Sequence, residues 1–313
     1  MHVTHIDRHR PTGPCVVCVG NFDGVHLGHQ RLLAKTAARA APGRLATVYT
    51  FSRHPTTQLT GAPPARLITT NAERLGIFAN FGIEEVVMDP FRPALAGMEP
   101  ADFFRDILLD RLRAAEIVCG TEYRFGARGA GDAALMARLC AQHGVVLHTI
   151  PPVTDGGRMI SSTWIRERVL QGDVQAAERL MGRPFALLAE VCHGAQLGRR
   201  LGFPTINQRF PALKLIPHPG VYATRLEIDG TSYIGATSVG TRPTVNGEDL
   251  RAETHILGYE GDLYGRFLKL EFLRYLREEL RFASLDDLSA QLRLDARRAA
   301  EAAAAQSVLG RDA

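Results

Sequence analysis

No run of about eighteen consecutive apolar residues occurs in the chain, so nothing in it reads as a membrane-spanning helix. The opening Met1-His2-Val3-Thr4-His5-Ile6-Asp7 lacks the basic-then-apolar layout of a secretory leader, and a cytoplasmic protein is expected. Cysteine is scarce. Five residues, an odd number scattered along the sequence, argue against a disulfide framework and fit a reducing compartment. Cys15-x-x-Cys18 has redox or metal spacing, but residues three apart in a strand face opposite sides of a sheet. Packing is therefore the expected role. A formal charge of +4 with no long basic run argues against nucleic-acid coating and mildly for small anionic ligands. What remains is an ordinary soluble composition, 45% hydrophobic and 22% charged over 313 residues, with room for two cores.

The stretch that organises the chain is Val16-Val17-Cys18-Val19-Gly20-Asn21-Phe22-Asp23-Gly24-Val25-His26-Leu27-Gly28-His29. An apolar run reads as a buried parallel strand and then breaks on glycines into a helix, the place where phosphates are usually held. His26 and His29, three apart, lie on one face of the first helical turn, with Gly28 leaving room for a ligand's close approach. Two imidazoles and a helix N-terminus would converge on one anion.

The β-rich run 44–51 follows and ends at His54, which either faces the ligand edge of an open sheet or caps a turn before Pro55. Alternation continues with a helix predicted over 71–81, a strand over 84–88 and a helix over 99–113 that carries apolar Phe103, Phe104, Ile107, Leu108 and Leu112. Residues 121–132 form a glycine-rich loop bearing Tyr123, Phe125 and Asp132, suited to a flat ring and phosphates or simply to a surface turn. A strand over 145–150 leads to Ile160-Ser161-Ser162-Thr163-Trp164-Ile165-Arg166. Hydroxyls before a helix make a good N-cap, and Arg166 adds a guanidinium that suits a polyphosphate.

Gly182-Arg183-Pro184 breaks the pattern after a predicted closing helix over 173–181, and the domain boundary is expected there: 1–182 and 183–313. Beyond it, short β-rich runs at 221–228 and 231–239 flank Asp229-Gly230, a sharp hairpin signal. That grammar predicts a small antiparallel barrel. Ser284-Leu285-Asp286-Asp287 opens a helix whose Leu285, Leu288 and Leu292 are expected to pack on the barrel, while the alanine-rich tail beyond Arg298 has little to bury.

Residues 20–29 and the Ile160–Arg166 stretch, in that order, resemble the His-x-Gly-His and Ile-Ser-Ser-Thr-x-Ile-Arg motifs of bacterial bifunctional riboflavin kinase/FAD synthetases. Gly198-Arg199-Arg200-Leu201-Gly202-Phe203-Pro204-Thr205-Ile206-Asn207 is similar to the flavokinase signature, and Pro219–Ala223, Gly240–Thr244, Asp262–Gly265 and Leu276–Phe282 agree in order. The resemblance implies an α/β fold: a Rossmann-like nucleotidyltransferase domain with a parallel sheet, then a flavokinase-like antiparallel barrel with a terminal helix.

It further implies that riboflavin is phosphorylated to FMN and FMN is adenylylated to FAD, with ATP and Mg²⁺ required. His26, His29 and Glu253 would be catalytic, and Gly20, Asn21, Phe22, Asp23, Gly28, Ser162, Thr163, Arg166, Gly198, Gly202, Pro204 and Thr205 would bind ATP and its phosphates. His54, Tyr123, Phe125 and Asp132 would bind flavin; Thr205 and Asn207 would hold the metal. No nucleic-acid or membrane partner is expected. The chain departs from the family pattern at Arg53, where proline is usual, at Glu122 and Tyr123 (aspartate, phenylalanine), and at Ala189, Ser238 and Gly258 (glycine, asparagine, an acidic residue). The last three leave open a barrel that only binds flavin beside an active adenylyltransferase, or a non-catalytic flavin-binding protein.

Overall fold

The computed structural model describes residues 1–53, 66–194, 202–244 and 247–309; His54 and Gly198 fall outside them. The chain divides into two compact units, Met1–Ser162 and Thr163–Ala313. The Gly182–Pro184 break thus lies within the second unit.

In the first unit the expected alternation forms a six-stranded parallel sheet. Its strands are β1 (His2–His5), β2 (Cys15–Val19), β3 (Leu45–Phe51), β4 (Glu85–Asp89), β5 (Ala114–Gly120) and β6 (Val146–Ile150), in the spatial order β1-β4-β3-β2-β5-β6. Every residue of β2 is buried, as an apolar run flanked on both faces must be. Val17, Val19 and Cys15 pack on one face with Tyr49 and Ile117, whereas Val16 and Cys18 pack on the other with Leu33 and Phe78. Cys15 and Cys18 therefore sit on opposite sides of the sheet, and burial pushes both thiols up to about 12. Neither is a nucleophile.

Helix α1 (Leu27–Arg39) and α2 (Asn71–Asn80) cover the second face. α2 begins with a full capping box, in which Thr70 Oγ1 accepts from Glu73 N and Glu73 Oε2 accepts from Thr70 N at 2.7 Å. The predicted helix over 99–113 differs in kind. Its body, Phe103–Arg111, is a π-helix, entered through the short helix Pro100–Asp102. The wider turn still buries Phe103, Phe104, Ile107 and Leu108 in one cluster, so the apolar pattern survives the change in hydrogen bonding. Helix α3 (Ala133–His143) is N-capped by Asp132.

The chain winds outward from β2 in both directions, so the switch in strand order falls between β2 and β5. Open α/β sheets hold their ligands at the carboxyl ends of the strands flanking such a switch. The 20–29 stretch leaves β2 there, and the 121–132 loop leaves β5.

Helix α4 (Ser162–Leu170) begins on the last residue of the first unit. In the second unit, α5 (Val174–Met181) is N-capped by Asp173 and precedes a closed antiparallel barrel. Its strands are β9 (Phe185–Cys192), β10 (Thr205–Arg209), β11 (Gly220–Ile228), β12 (Thr231–Thr244), β13 (Gly247–Ile256) and β14 (Phe267–Arg277), numbered after a small hairpin β7 (Thr154–Asp155) and β8 (Arg158–Met159) in the first unit. The β11–β12 turn is Asp229-Gly230, both at positive φ (51° and 80°), as a two-residue hairpin requires. Inside the barrel Thr224, Thr237 and Thr254 share a chain of hydroxyl hydrogen bonds of 2.7 and 2.8 Å.

Helix α6 (Leu285–Leu309) opens on Ser284, whose Oγ accepts from Asp287 N. Here the packing departs from expectation. Leu285 is exposed and Leu288 and Leu292 are half-buried, whereas Ala299, Ala302 and Ala303 are buried against Ala223 and Leu273. Small side chains let the helix backbone approach the barrel closely, so the alanine tail, expected to bury little, is part of the contact.

Candidate active sites

The loop between β2 and α1 holds a backbone that ordinary residues rarely adopt: Phe22, Gly24 and Val25 all have positive φ, at 52°, 77° and 37°. Such strain persists only where the surroundings fix it. Asp23 does much of this. Its carboxylate is fully buried and accepts from Ile68 N at 2.9 Å and Thr69 N at 3.2 Å, while Gly24 N donates to Thr69 Oγ1 at 3.0 Å. Phe22 is also fully buried, with its ring 5.1 Å from His29 and 5.5 Å from Phe78. Asp23 and Phe22 therefore shape the loop from beneath, and Gly20 is pressed against the Phe22 ring.

His26 is the N-cap of α1, and its Nδ1 accepts from His29 N. That bond uses Nδ1 of a neutral His26 as the acceptor, which puts the ring proton on Nε2. The two imidazoles stack at 3.7 Å between centroids and 22° between planes. They do converge at one helix N-terminus, where the free amides and the dipole favour an anion. The space beside Gly28 is used differently from expectation. A Cβ there would lie 3.1 Å from the His26 ring, so the missing side chain makes room for the chain's own imidazole.

Ser162 Oγ donates to Asp23 O at 2.8 Å, joining the start of α4 to the histidine loop; Thr163 and Arg166 follow in the same helix. From β5, Tyr123 and Phe125 stack nearly parallel at 5.8 Å. Phe125 contacts Phe103, which contacts Tyr49, then Phe51, then Phe91, giving a continuous aromatic row on one sheet face. The sequence flagged only its first two members. Asp132 caps α3 by accepting from Leu135 N at 2.8 Å, which holds its carboxyl below the usual range. Its role in the structure is to end the aromatic loop.

In the barrel, register creates the site. Asn207 of β10 lies opposite Glu253 of β13, and Glu253 lies opposite Ser238 of β12, so the three side chains share a face. Thr205, two residues before Asn207, shares it as well. Asn207 is buried, and among the described residues its Oδ1 has no hydrogen-bond partner. A Cβ at Gly194 would lie 2.3 Å from Asn207 Nδ2, so the glycine cradles this amide. An orphaned amide oxygen on the same strand face as a threonine is the hard-oxygen type of donor that Mg²⁺ prefers. Pro204 O meets His255 Nδ1 at 3.0 Å, and Phe203 packs edge-on against the same ring, which fixes the strand just before Thr205. Gly202, at φ 79°, turns the chain into this segment.

Two of the three departures in the barrel have a local explanation. Ala189 packs in the interior opposite Leu268, and its carbonyl accepts from Gln208 Nε2 at 2.8 Å. Ser238 Oγ donates to Glu279 Oε1 at 3.4 Å. Both residues are accommodated without disturbing the Asn207–Glu253 pairing.

Residues 9–164 match the FAD synthetase family and residues 181–303 the riboflavin kinase family. The chain is 37% identical to a bifunctional riboflavin kinase/FMN adenylyltransferase of Pseudomonas fluorescens, over 94% of each chain. The chain belongs to the bifunctional riboflavin kinase/FMN adenylyltransferase family. Similar proteins of that name from Escherichia coli K12 (36% identity, 91% of each chain) and Bacillus subtilis (30%, 94% of this chain and 95% of the other) span the same two halves.

A solved structure named as a macrolide-efflux protein of Streptococcus pneumoniae matches with a TM-score of 0.85 and 30% identity, covering 95% of this chain and 98% of that one. Among the described residues no helix is long and apolar enough to cross a membrane. The family's two-part architecture accounts for both halves of the fold: parallel sheet first, closed barrel second.

Proposed function

We propose that the chain makes FAD from riboflavin in two steps, with roles divided between its halves at the Gly182–Pro184 break. In the barrel, the riboflavin 5′-hydroxyl attacks the γ-phosphorus of ATP, giving FMN and ADP. Glu253 takes the hydroxyl proton. Thr205 and Asn207 would hold Mg²⁺, which neutralises charge on the transferring phosphates when bound; Gly198, Gly202 and Pro204 are assigned to ATP. In the parallel-sheet unit, an oxygen of the FMN phosphate attacks the α-phosphorus of a second ATP in line, and pyrophosphate leaves.

His26 and His29 donate to the phosphate oxygens on which charge accumulates, at a helix N-terminus already biased towards anions. Gly20, Asn21 and Gly28 shape that loop, and Phe22 and Asp23 act through it. Ser162, with Thr163 and Arg166 after it in the same helix, is assigned to the distal phosphates. Tyr123 and Phe125 supply the flat apolar surface for the flavin ring, Asp132 closes their loop, and His54 is assigned to the flavin as well.

The observation that carries this reading is the stacked His26–His29 pair at the α1 N-terminus, above a strained loop fixed by Asp23. Binding alone does not call for a preorganised pair of donors where charge develops in the transition state. The test is chromatography of riboflavin incubated with Mg²⁺ and ATP. Appearance of FMN followed by FAD supports both steps; FAD only when FMN is supplied would reduce the barrel to a flavin-binding module, and neither product would leave a carrier.

A further inference from the structure

Arg74 is among the most buried side chains of the chain, 2% exposed, and it sits on the sheet-facing stripe of α2 with Phe78. An arginine in that position costs free energy unless its donors are used. They are spent on the catalytic loop. Nη1 donates to Asn21 O at 2.7 Å and Thr50 Oγ1 at 3.3 Å; Nη2 donates to Phe51 O at 2.7 Å and to Asn71 Oδ1. Thr50 Oγ1 itself donates to Asn21 O at 3.2 Å, and Asn71 Nδ2 donates to Ser52 O at 3.1 Å. One planar fork thus joins the first residues of the histidine loop, the carboxyl end of β3 and the first turn of α2.

Among the described residues no carboxylate hydrogen-bonds this guanidinium, and its Nε has no partner. Burial lowers its pKa to about 10, with Asp23 the carboxylate that opposes the fall, so the side chain is a cation at neutral pH. A neutral amide could satisfy at most two of these acceptors. Four acceptors and one incompletely compensated charge are placed directly behind a loop built to receive a polyanion.

We propose that Arg74 is a positioning residue for adenylyl transfer: it fixes the Asn21 carbonyl and so the His26–His29 loop, and its buried charge favours the polyphosphate over less charged nucleotides. The proposal rests on the adenylyltransferase reading of this loop. A cation in a low-dielectric setting acts in proportion to the charge of its partner, so ATP and pyrophosphate gain more from it than AMP.

The full-length chain and its Arg74→Gln and Arg74→Lys variants are compared for FMN adenylylation, for riboflavin phosphorylation, and for binding of pyrophosphate and AMP. Arg74→Gln is expected to lose about tenfold to a hundredfold in kcat/KM for FAD formation, the scale of a small displacement of reacting groups. Pyrophosphate affinity should fall more than AMP affinity, and riboflavin phosphorylation should stay within about twofold of wild type, by the same argument of local action. Arg74→Lys should recover pyrophosphate binding while kcat remains low, because an ammonium restores the charge without the planar fork.

Wild-type FAD formation from Arg74→Gln overturns the proposal. So does equal loss of pyrophosphate and AMP with no recovery in Arg74→Lys, which is the behaviour of a purely structural contact. Should Arg74→Gln fail to fold, Arg74→Lys decides: unchanged kcat sinks the positioning role. A wild-type chain that makes no FAD from FMN and ATP removes the underlying reading, an outcome distinct from an active wild type with an equally active variant.

Discussion

The two candidate sites are built in opposite ways. In the parallel-sheet unit, nearly everything that shapes the histidine pair comes from ten consecutive residues, held in a strained conformation by buried bonds from Asp23, Thr69 and Arg74. In the barrel, no stretch contains the site. Asn207, Ser238 and Glu253 meet only because three strands pair in one register. A loop concentrates its chemistry in sequence and must store strain to do so, whereas a barrel face is made of unstrained strands and depends on closure of the whole sheet.

The sharpest way to break that comparison is to remove one donor from the loop. His29→Ala should cut FAD formation about a hundredfold or more, roughly 3 kcal/mol, as loss of a preorganised donor does elsewhere. FMN formation should be unchanged when both products are followed by chromatography. Equal FAD output would remove the histidine pair from the mechanism. Glu253→Ala is the reciprocal experiment, with an expected loss of about a hundredfold in riboflavin phosphorylation, the lower end of general-base effects. Adenylylation of supplied FMN should persist. If both rates fell together, the barrel residue would be acting through the fold, not through the hydroxyl.

These contrasts explain how far the sequence could be read. β2 was legible because a strand buried on both faces must be apolar throughout, and Asp229-Gly230 was legible because few dipeptides accept two positive φ angles. The histidines were legible as a motif. Glu253 was reached only through resemblance, since a lone glutamate in a strand carries no mark of what lies opposite. Phe51 and Phe91 were missed for the same reason: their row forms across strands and loops.

Arg74 did leave a signal, a charged residue at the same helical spacing as Phe78 on a face that should be apolar. The π-helix over Phe103–Arg111 left none, because its buried positions also suit an α-helix. Gly28 was read for the right property, lack of a side chain, but the neighbour needing the space was His26.

A smaller effect tests whether the two units respond independently. Glu116, near the amino end of β5 and so at the sheet edge remote from the histidine loop, has its carboxylate buried between Arg39 at 2.8 Å, Arg44 and His148 at 2.7 Å. The Arg39 hydrogen bonds hold its carboxyl down to about 2 from 4.5, against the opposing cost of burial. A depressed folded-state pKa stabilises the fold fully above 4.5, and that contribution is lost as pH falls from 4.5 towards 2. With the arginines partly exposed and their attraction screened, Glu116→Gln should cost about 2 kcal/mol at neutral pH.

The cost should shrink steadily below pH 4.5, where the wild-type carboxylate itself begins to lose its advantage. Thermal inactivation followed separately for the two reactions gives the comparison its finest edge. FAD formation should fail several degrees earlier in the variant while FMN formation keeps its wild-type temperature profile, since the Glu116 cluster lies wholly within Met1–Ser162. Simultaneous loss of both reactions would mean that the barrel melts with the sheet, and that the two halves are one cooperative unit despite their separate architectures.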